Sequence, residues 1–129
     1  MNKKINEKEI EEMNKKFPTG HYDRKGKTIG LGTWAKLLED KKYSIVEQKE
    51  VKIGKKVYFV SSVWLGIDYA FEDEKKPVIF ETMIFKRNNI KELLGDDIYQ
   101  DRYCTEQQAI AGHKKAIRLL KAGKICNIK

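Results

Sequence analysis

The sequence predicts an α+β fold: a small antiparallel sheet of about three to four strands, with an N-terminal helix and a C-terminal amphipathic helix packed on it. Three observations carry that prediction. Residues 56–68 (KVYFVSSVWLGID) are mostly apolar at both parities, as a central strand is. They are joined to residues 43–53 (YSIVEQKEVKI) through Gly54-Lys55, which reads as a tight hairpin turn. Thr105, followed three residues later by Gln108, forms a capping box ahead of AIAGHKKAIRLLKAGK, so a helix is expected over 106–122, ended by Gly123.

The remaining elements follow in chain order. Residues 5–17 place Ile5, Ile10, Met13 and Phe17 near one helical face, with Glu leading and Lys trailing as the macrodipole favours. Residues 1–20 are therefore expected as a helical extension. The stretch PTGHYDRKGKTIGLG is dense in turn formers, and Thr33 is expected to cap a short helix burying Trp34, Leu37 and Leu38. Residues 71–76 (FEDEKK) read as a polar loop, Pro77 opens a third strand over PVIFETMIFK, and RNNIKELLGDDIYQD reads as a loop with at most one helical turn. The last helix carries an apolar stripe of Ala109, Ile110, His113, Ala116, Ile117 and Leu120, and a basic tail is expected over 122–129.

Composition narrows the classes of function. The chain of 129 residues fits one domain. It has no apolar run of about 18 residues, and its start, MNKKINEKEIEEMNKKF, lacks the apolar core of a signal peptide. A cytoplasmic protein with no membrane partner is the expectation. Cys104 and Cys126, 22 positions apart, form neither a zinc pattern nor a disulfide framework, and with only 2 His a metal site would lean on carboxylates, so neither metal nor cofactor is expected. The GKT at 26–28 lacks the glycine that a phosphate loop needs at position 21, which is His21, so its glycines read as turn formers. The helix start near Thr33 stays open as a weaker anion site.

The formal charge of +8 is uneven: 8 Lys/Arg against 5 Asp/Glu over residues 1–30, 13 against 13 over 31–104, and 6 against 1 over 105–129. Such basic ends attract phosphate-bearing partners, or else are solvated surface. On the last helix Lys114, Arg118 and Lys121 follow at i, i+4 and i+7, with Lys115 beside them. These four and Arg102 are the candidate phosphate ligands.

Two carboxylates interrupt the most apolar stretch. Asp68 ends its strand and reads as an edge charge. Glu81 lies mid-strand and needs Arg, Lys, His or N–H donors, with Arg102 and His113 the obvious partners. A structural ion pair is one reading. The other joins Asp68, Glu81, Tyr103 and His113 into a polar pocket beneath the last helix, next to Gly112, able to hold a ligand or to do acid–base work. Trp64 or Tyr103 would stack on a base there, and Tyr58, Trp64 and Tyr69 would do so if their strand face is open. Tyr58, Trp64 and Tyr69 read equally well as core.

The stretches HYDRKGKTIGLGTWAKLLED, VSSVWLGIDY, PVIFETMIF and RYCTEQQAIAGH together resemble a family of small bacteriophage and prophage proteins, over about residues 21–113. That family shows Asp-His after its VWLG stretch, where this chain has Asp68-Tyr69. The resemblance implies a phage accessory protein in the host cytoplasm that acts on host processes, often to blunt host defences. With the basic ends, it points to binding rather than catalysis: sequestering a phosphate-bearing ligand such as a signalling nucleotide, or blocking a nucleic-acid site. The alternatives are a protein inhibitor of a host defence nuclease, of the anti-CRISPR type, and a small hydrolase using Asp68, Glu81 and His113. A two-faced apolar sheet also leaves homo-oligomerisation open.

Overall fold

Alternation of apolar and polar residues with a period of two builds the centre of this protein, a four-stranded antiparallel meander. The computed structural model describes residues 5–68, 76–87 and 93–125, with backbone alone for 93–96. Strands β3 (Ile45–Ile53), β4 (Lys56–Trp64), β5 (Phe80–Arg87) and β6 (Leu93–Tyr103) pair in that order, all antiparallel. The C-terminal helix α4 (Glu106–Lys121) packs across all four strands. The fold is α+β, as expected. Tyr69, Cys126 and the expected polar loop at 71–76, apart from Lys76, lie outside the described residues.

The register fixes which side chains share a face. Val51 pairs with Tyr58, Val60 with Ile84, and Trp64 with Phe80. All are buried, and together they form the floor on which α4 rests its buried Ala109, Gly112, His113, Ala116 and Leu120. Glu81, Met83 and Phe85 alternate with these and point to the opposite face, which no described helix covers. There Phe59 pairs with Phe85, and the Arg87 guanidinium lies 4.0 Å above the Phe59 ring.

The helix ends follow from local chemistry. Thr105 caps α4 as its sequence foretells: its hydroxyl accepts from Gln108 N–H at 3.1 Å, and the Gln108 side chain accepts from Thr105 N–H at 3.2 Å. Helix α1 (Glu7–Lys16) carries a second capping box, Asn6 with Glu9, not foreseen from sequence. Helix α2 (Leu31–Glu39) corrects the expectation for Thr33, which lies inside the first turn rather than at its cap. Asn14 of α1 supplies the cap instead, its Oδ1 accepting from Thr33 N–H at 3.0 Å. Leu31 N–H donates to the Phe17 carbonyl, so this helix start is engaged by protein and is no anion site. Leu38 is 38% exposed rather than buried.

Two further segments depart from expectation. Residues 41–44 form a short helix α3 (Lys41–Ser44), capped by Asp40, where a strand was expected from 43. Residues 93–101, expected as part of a loop, belong instead to β6, which runs on to Tyr103. Its acidic, Gly-containing sequence is poor in strand formers, but as an edge strand it has a neighbour on one side only and tolerates polar residues.

The GKT segment is a turn. Strands β1 (His21–Tyr22) and β2 (Thr28–Ile29) form a small hairpin whose loop is fixed by Asp23. The Asp23 carboxylate accepts from Lys25 and Lys27 N–H, both at 2.9 Å, and Gly26 adopts φ 84°, a left-handed conformation that suits glycine.

Candidate functional site

A polar row crosses the middle of the sheet beneath α4. Glu47, Ser62, Thr82 and Asp101 are register partners on successive strands, so their side chains line up on the helix-facing side. The row separates two apolar clusters, one around Val51, Tyr58, Val60, Ile84, Ala116 and Leu120, the other around Trp64, Ile79, Phe80 and Ala109. His113 enters it from above. Its Nδ1 lies 2.7 Å from Ser62 Oγ, which lies 2.5 Å from Thr82 Oγ1. Its Nε2 faces Glu47 Oε2 at 3.5 Å, longer than a good hydrogen bond.

The arrangement that satisfies most groups has Thr82 donating to Ser62, Ser62 donating to Nδ1, and a proton on Nε2 toward Glu47. Burial holds the His113 pKa below the ordinary histidine value, against the favourable charge of Glu47 and with help from Lys49. The imidazole is therefore neutral at neutral pH.

A serine, a histidine and a carboxylate in series invite comparison with an acyl-transfer triad. Access decides against that reading. Ser62 and His113 are each 0% exposed, enclosed by the sheet and α4, so a substrate has no approach to the hydroxyl. The chain of hydrogen bonds instead pins α4 to the sheet at one register.

This device makes stability depend on pH. The unfolded chain takes up a proton on His113 near pH 6.5, whereas the folded chain resists it. The unfolded state therefore binds more protons below that pH, and stability falls as pH drops. Between pH 7.5 and 6.0 the urea midpoint is expected to fall, with a slope of at most about 1.4 kcal/mol per pH unit from this group. His113→Gln should flatten the dependence. An unchanged dependence in that variant would remove His113 as its source.

The pocket expected from Trp64, Asp68, Glu81, Tyr103 and His113 is not formed, because the pleat divides its members. Glu81 lies on the face away from α4, where its Oε2 accepts from Arg102 Nε at 2.9 Å and from Gln100 Nε2 at 2.7 Å. The ion-pair reading of Glu81 holds, with Arg102 and not His113 as partner. Asp68 is exposed and accepts from Val78 N–H at 2.8 Å, so it orders the approach to β5. Asp68, Glu81 and His113 do not converge, which removes the geometry that the hydrolase reading needs. Trp64 is completely buried and donates its indole N–H to the Tyr22 carbonyl, so it cannot stack on a base.

Tyr103 lies half-buried with its ring against Gly112. Its hydroxyl, near Thr82 and Asp101, is buried without a hydrogen-bond partner of good geometry, and its pKa is pushed up to about 12, chiefly by burial.

The candidate phosphate ligands also divide. Lys114, Lys115, Arg118 and Lys121 are all exposed on the outer side of α4. Arg102 is across the sheet, beside Glu81. Among the described residues none of the four helix cations forms an ion pair, and the one acidic residue of α4, Glu106, is bound by Arg24 at 2.8 Å.

That ion pair closes one end of a shallow cleft of about 510 Å³ lined by Asp23, Arg24, Lys25, Lys27, Tyr43 and Glu106. Arg24 organises it: Nη1 donates to the Tyr43 carbonyl and its backbone N–H to the Tyr43 hydroxyl, both at 2.8 Å. The sequence reading missed this cleft, although three cations within four residues of a turn were its signal. Among the described residues no group of three or more His, Cys, Asp and Glu is placed to hold a metal, and no helix is long and apolar enough to cross a membrane. Comparison of the chain with family models, curated proteins and solved structures finds no match.

Proposed function

We propose that the protein acts by binding, and that it holds the phosphate backbone of a nucleic acid on the outer face of α4. The observation that carries this reading is the set Lys114, Lys115, Arg118 and Lys121, exposed and without ion-pair partners among the described residues. Lys114 and Lys121 are about 10 Å apart along the helix, a length that meets two or three successive phosphates. A signalling nucleotide is less well served, because small-molecule sites are concave and this face is convex. In the phage setting that the sequence resemblance implies, such a protein would occupy nucleic acid that a host defence system otherwise engages. The sealed Ser62–His113 pair supports binding over catalysis.

The test is affinity for a labelled 16-base-pair DNA duplex, read by fluorescence anisotropy at several salt concentrations. Lys114→Glu with Arg118→Glu is expected to weaken binding about 30-fold at 0.1 M salt and to flatten the salt dependence. The urea midpoint should fall by no more than the equivalent of about 1 kcal/mol, since both side chains are exposed and only the loss of cations toward the C-terminus of α4 acts on the fold. Affinity equal to that of the unaltered protein would overturn the assignment.

A further inference from the structure

The cations of α4 do not stand alone on their side of the molecule. Helix geometry advances about 100° and 1.5 Å per residue, so relative to Glu106 the side chains of Lys121, Lys114 and Arg118 lie at roughly 60°, 80° and 120° around the axis. Glu106 itself marks the direction of the β1–β2 turn, because Arg24 of that turn grips it. The turn and the three cations therefore share one flank of α4. It is the flank toward β3, since Tyr43, which anchors Arg24, belongs to the short helix α3 that leads directly into β3, and since His113 of the same side faces Glu47 and Lys49 of β3.

We propose that the phosphate-binding surface continues past the N-terminus of α4 into the β1–β2 turn, where Lys25 and Lys27 hold further phosphates of the same nucleic-acid duplex, an extension that rests on the phosphate-binding role of α4.

Three features of the turn support it. Lys25 and Lys27 are exposed and line the cleft with Arg24. Their backbones are held by Asp23, so the two ammonium groups project from a fixed base and lose little backbone entropy on binding. Two carboxylates of this flank are already engaged, Asp23 by the turn amides and Glu106 by Arg24. The cleft lies at Glu106, about 12 Å along the axis from Lys114 and about 22 Å from Lys121. A track of that length exceeds any single nucleotide and suits a backbone.

A duplex fits better than a single strand. Single-strand sites combine cations with aromatic rings on which bases stack. The one aromatic ring of the cleft, Tyr43, packs edge-on against Trp64 with ring centres 5.0 Å apart and lies beneath the Arg24 guanidinium, so it offers no free face. Contacts of this kind read charge and shape, and the binding is independent of sequence.

The experiment measures affinity for the same 16-base-pair duplex across a salt series. Lys25→Ala with Lys27→Ala should weaken binding about tenfold at 0.1 M salt and reduce the slope of log K against log salt by about 2, one for each phosphate no longer neutralised. Lys25→Arg with Lys27→Arg should restore both. Lys36→Ala with Lys52→Ala, which removes equal charge from α2 and from the opposite sheet face, should stay within about twofold of the unaltered protein. If the Lys25/Lys27 variant keeps its affinity and slope while the α4 variant loses them, the extension is wrong and the α4 reading stands. Equal losses in the Lys36/Lys52 control would also overturn it, because net charge alone would then explain the effect. No binding by the unaltered protein at 0.05 M salt would overturn both readings, and tighter binding to the matching single strand would overturn the duplex assignment.

Discussion

Trp64→Ala is expected to destabilise the protein by about 3–5 kcal/mol, a large part of the ~5–15 kcal/mol that holds a domain folded. Trp64 closes the end of the sheet farthest from the β3–β4 hairpin. Its ring is completely buried against Ile79, Phe80 and Ala109, and Tyr43 meets it edge-on. Its indole N–H donates to the Tyr22 carbonyl at 3.0 Å, which ties the β1–β2 hairpin to the core. Truncation would leave a cavity and an unsatisfied carbonyl together. The N-terminal elements depend on the same place, since Trp34 of α2 donates to the Leu65 carbonyl at 2.8 Å, one residue on. Of the 2 Trp in the chain, Trp34 would remain as a reporter, and urea unfolding followed by its fluorescence measures the loss. A midpoint shift worth less than about 1 kcal/mol would show that Trp64 is not the core residue its burial makes it.

The fold was legible where local chemistry and periodicity agree. The β3–β4 hairpin and the capping box at Thr105 use signals that act within a few residues, and both appear where the sequence places them. Strand β6 was not legible, because Asp96, Asp97 and Gly95 discourage a strand and only pairing with β5 at the sheet edge sustains it. The candidate site shows the same division. Glu81 could be matched to Arg102 from sequence because a buried carboxylate demands a cation. Its placement beneath α4 failed on parity: Phe80, Thr82 and Ile84 face the helix, so Glu81 between them cannot. The polar row of Glu47, Ser62, Thr82 and Asp101 rests on three strand registers at once, one of them involving the unforeseen β6. The partner of His113 was hidden for that reason, although Ser62 adjoins Ser61 in an otherwise apolar strand and marked the place.

Gly112→Ala should cost about 3 kcal/mol, the upper part of the range for overfilling a packed contact. The sign runs against helix propensity, by which alanine inside a helix is favoured over glycine by about 1 kcal/mol. Sterics reverse it. A methyl group at 112 would collide with the hydroxyl and ring carbons of Tyr103, and that ring is held against α4 on β6. Either α4 lifts from the sheet or Tyr103 leaves its place, and lifting α4 also strains the Ser62–His113 hydrogen bond one residue along. The two causes separate in a double-mutant cycle. In a Tyr103→Leu background the shorter side chain does not reach position 112, so Gly112→Ala should become neutral or stabilising. A raised urea midpoint for Gly112→Ala alone would show that helix and strand do not approach so closely. Because Lys114 and Arg118 are carried by the same helix, Gly112→Ala should also weaken duplex binding where the variant is partly unfolded. At low temperature, where it is folded, affinity should return to that of the unaltered protein. Affinity that stayed low in the folded variant would mean that the seating of α4, and not its charge alone, sets how the cations meet phosphate.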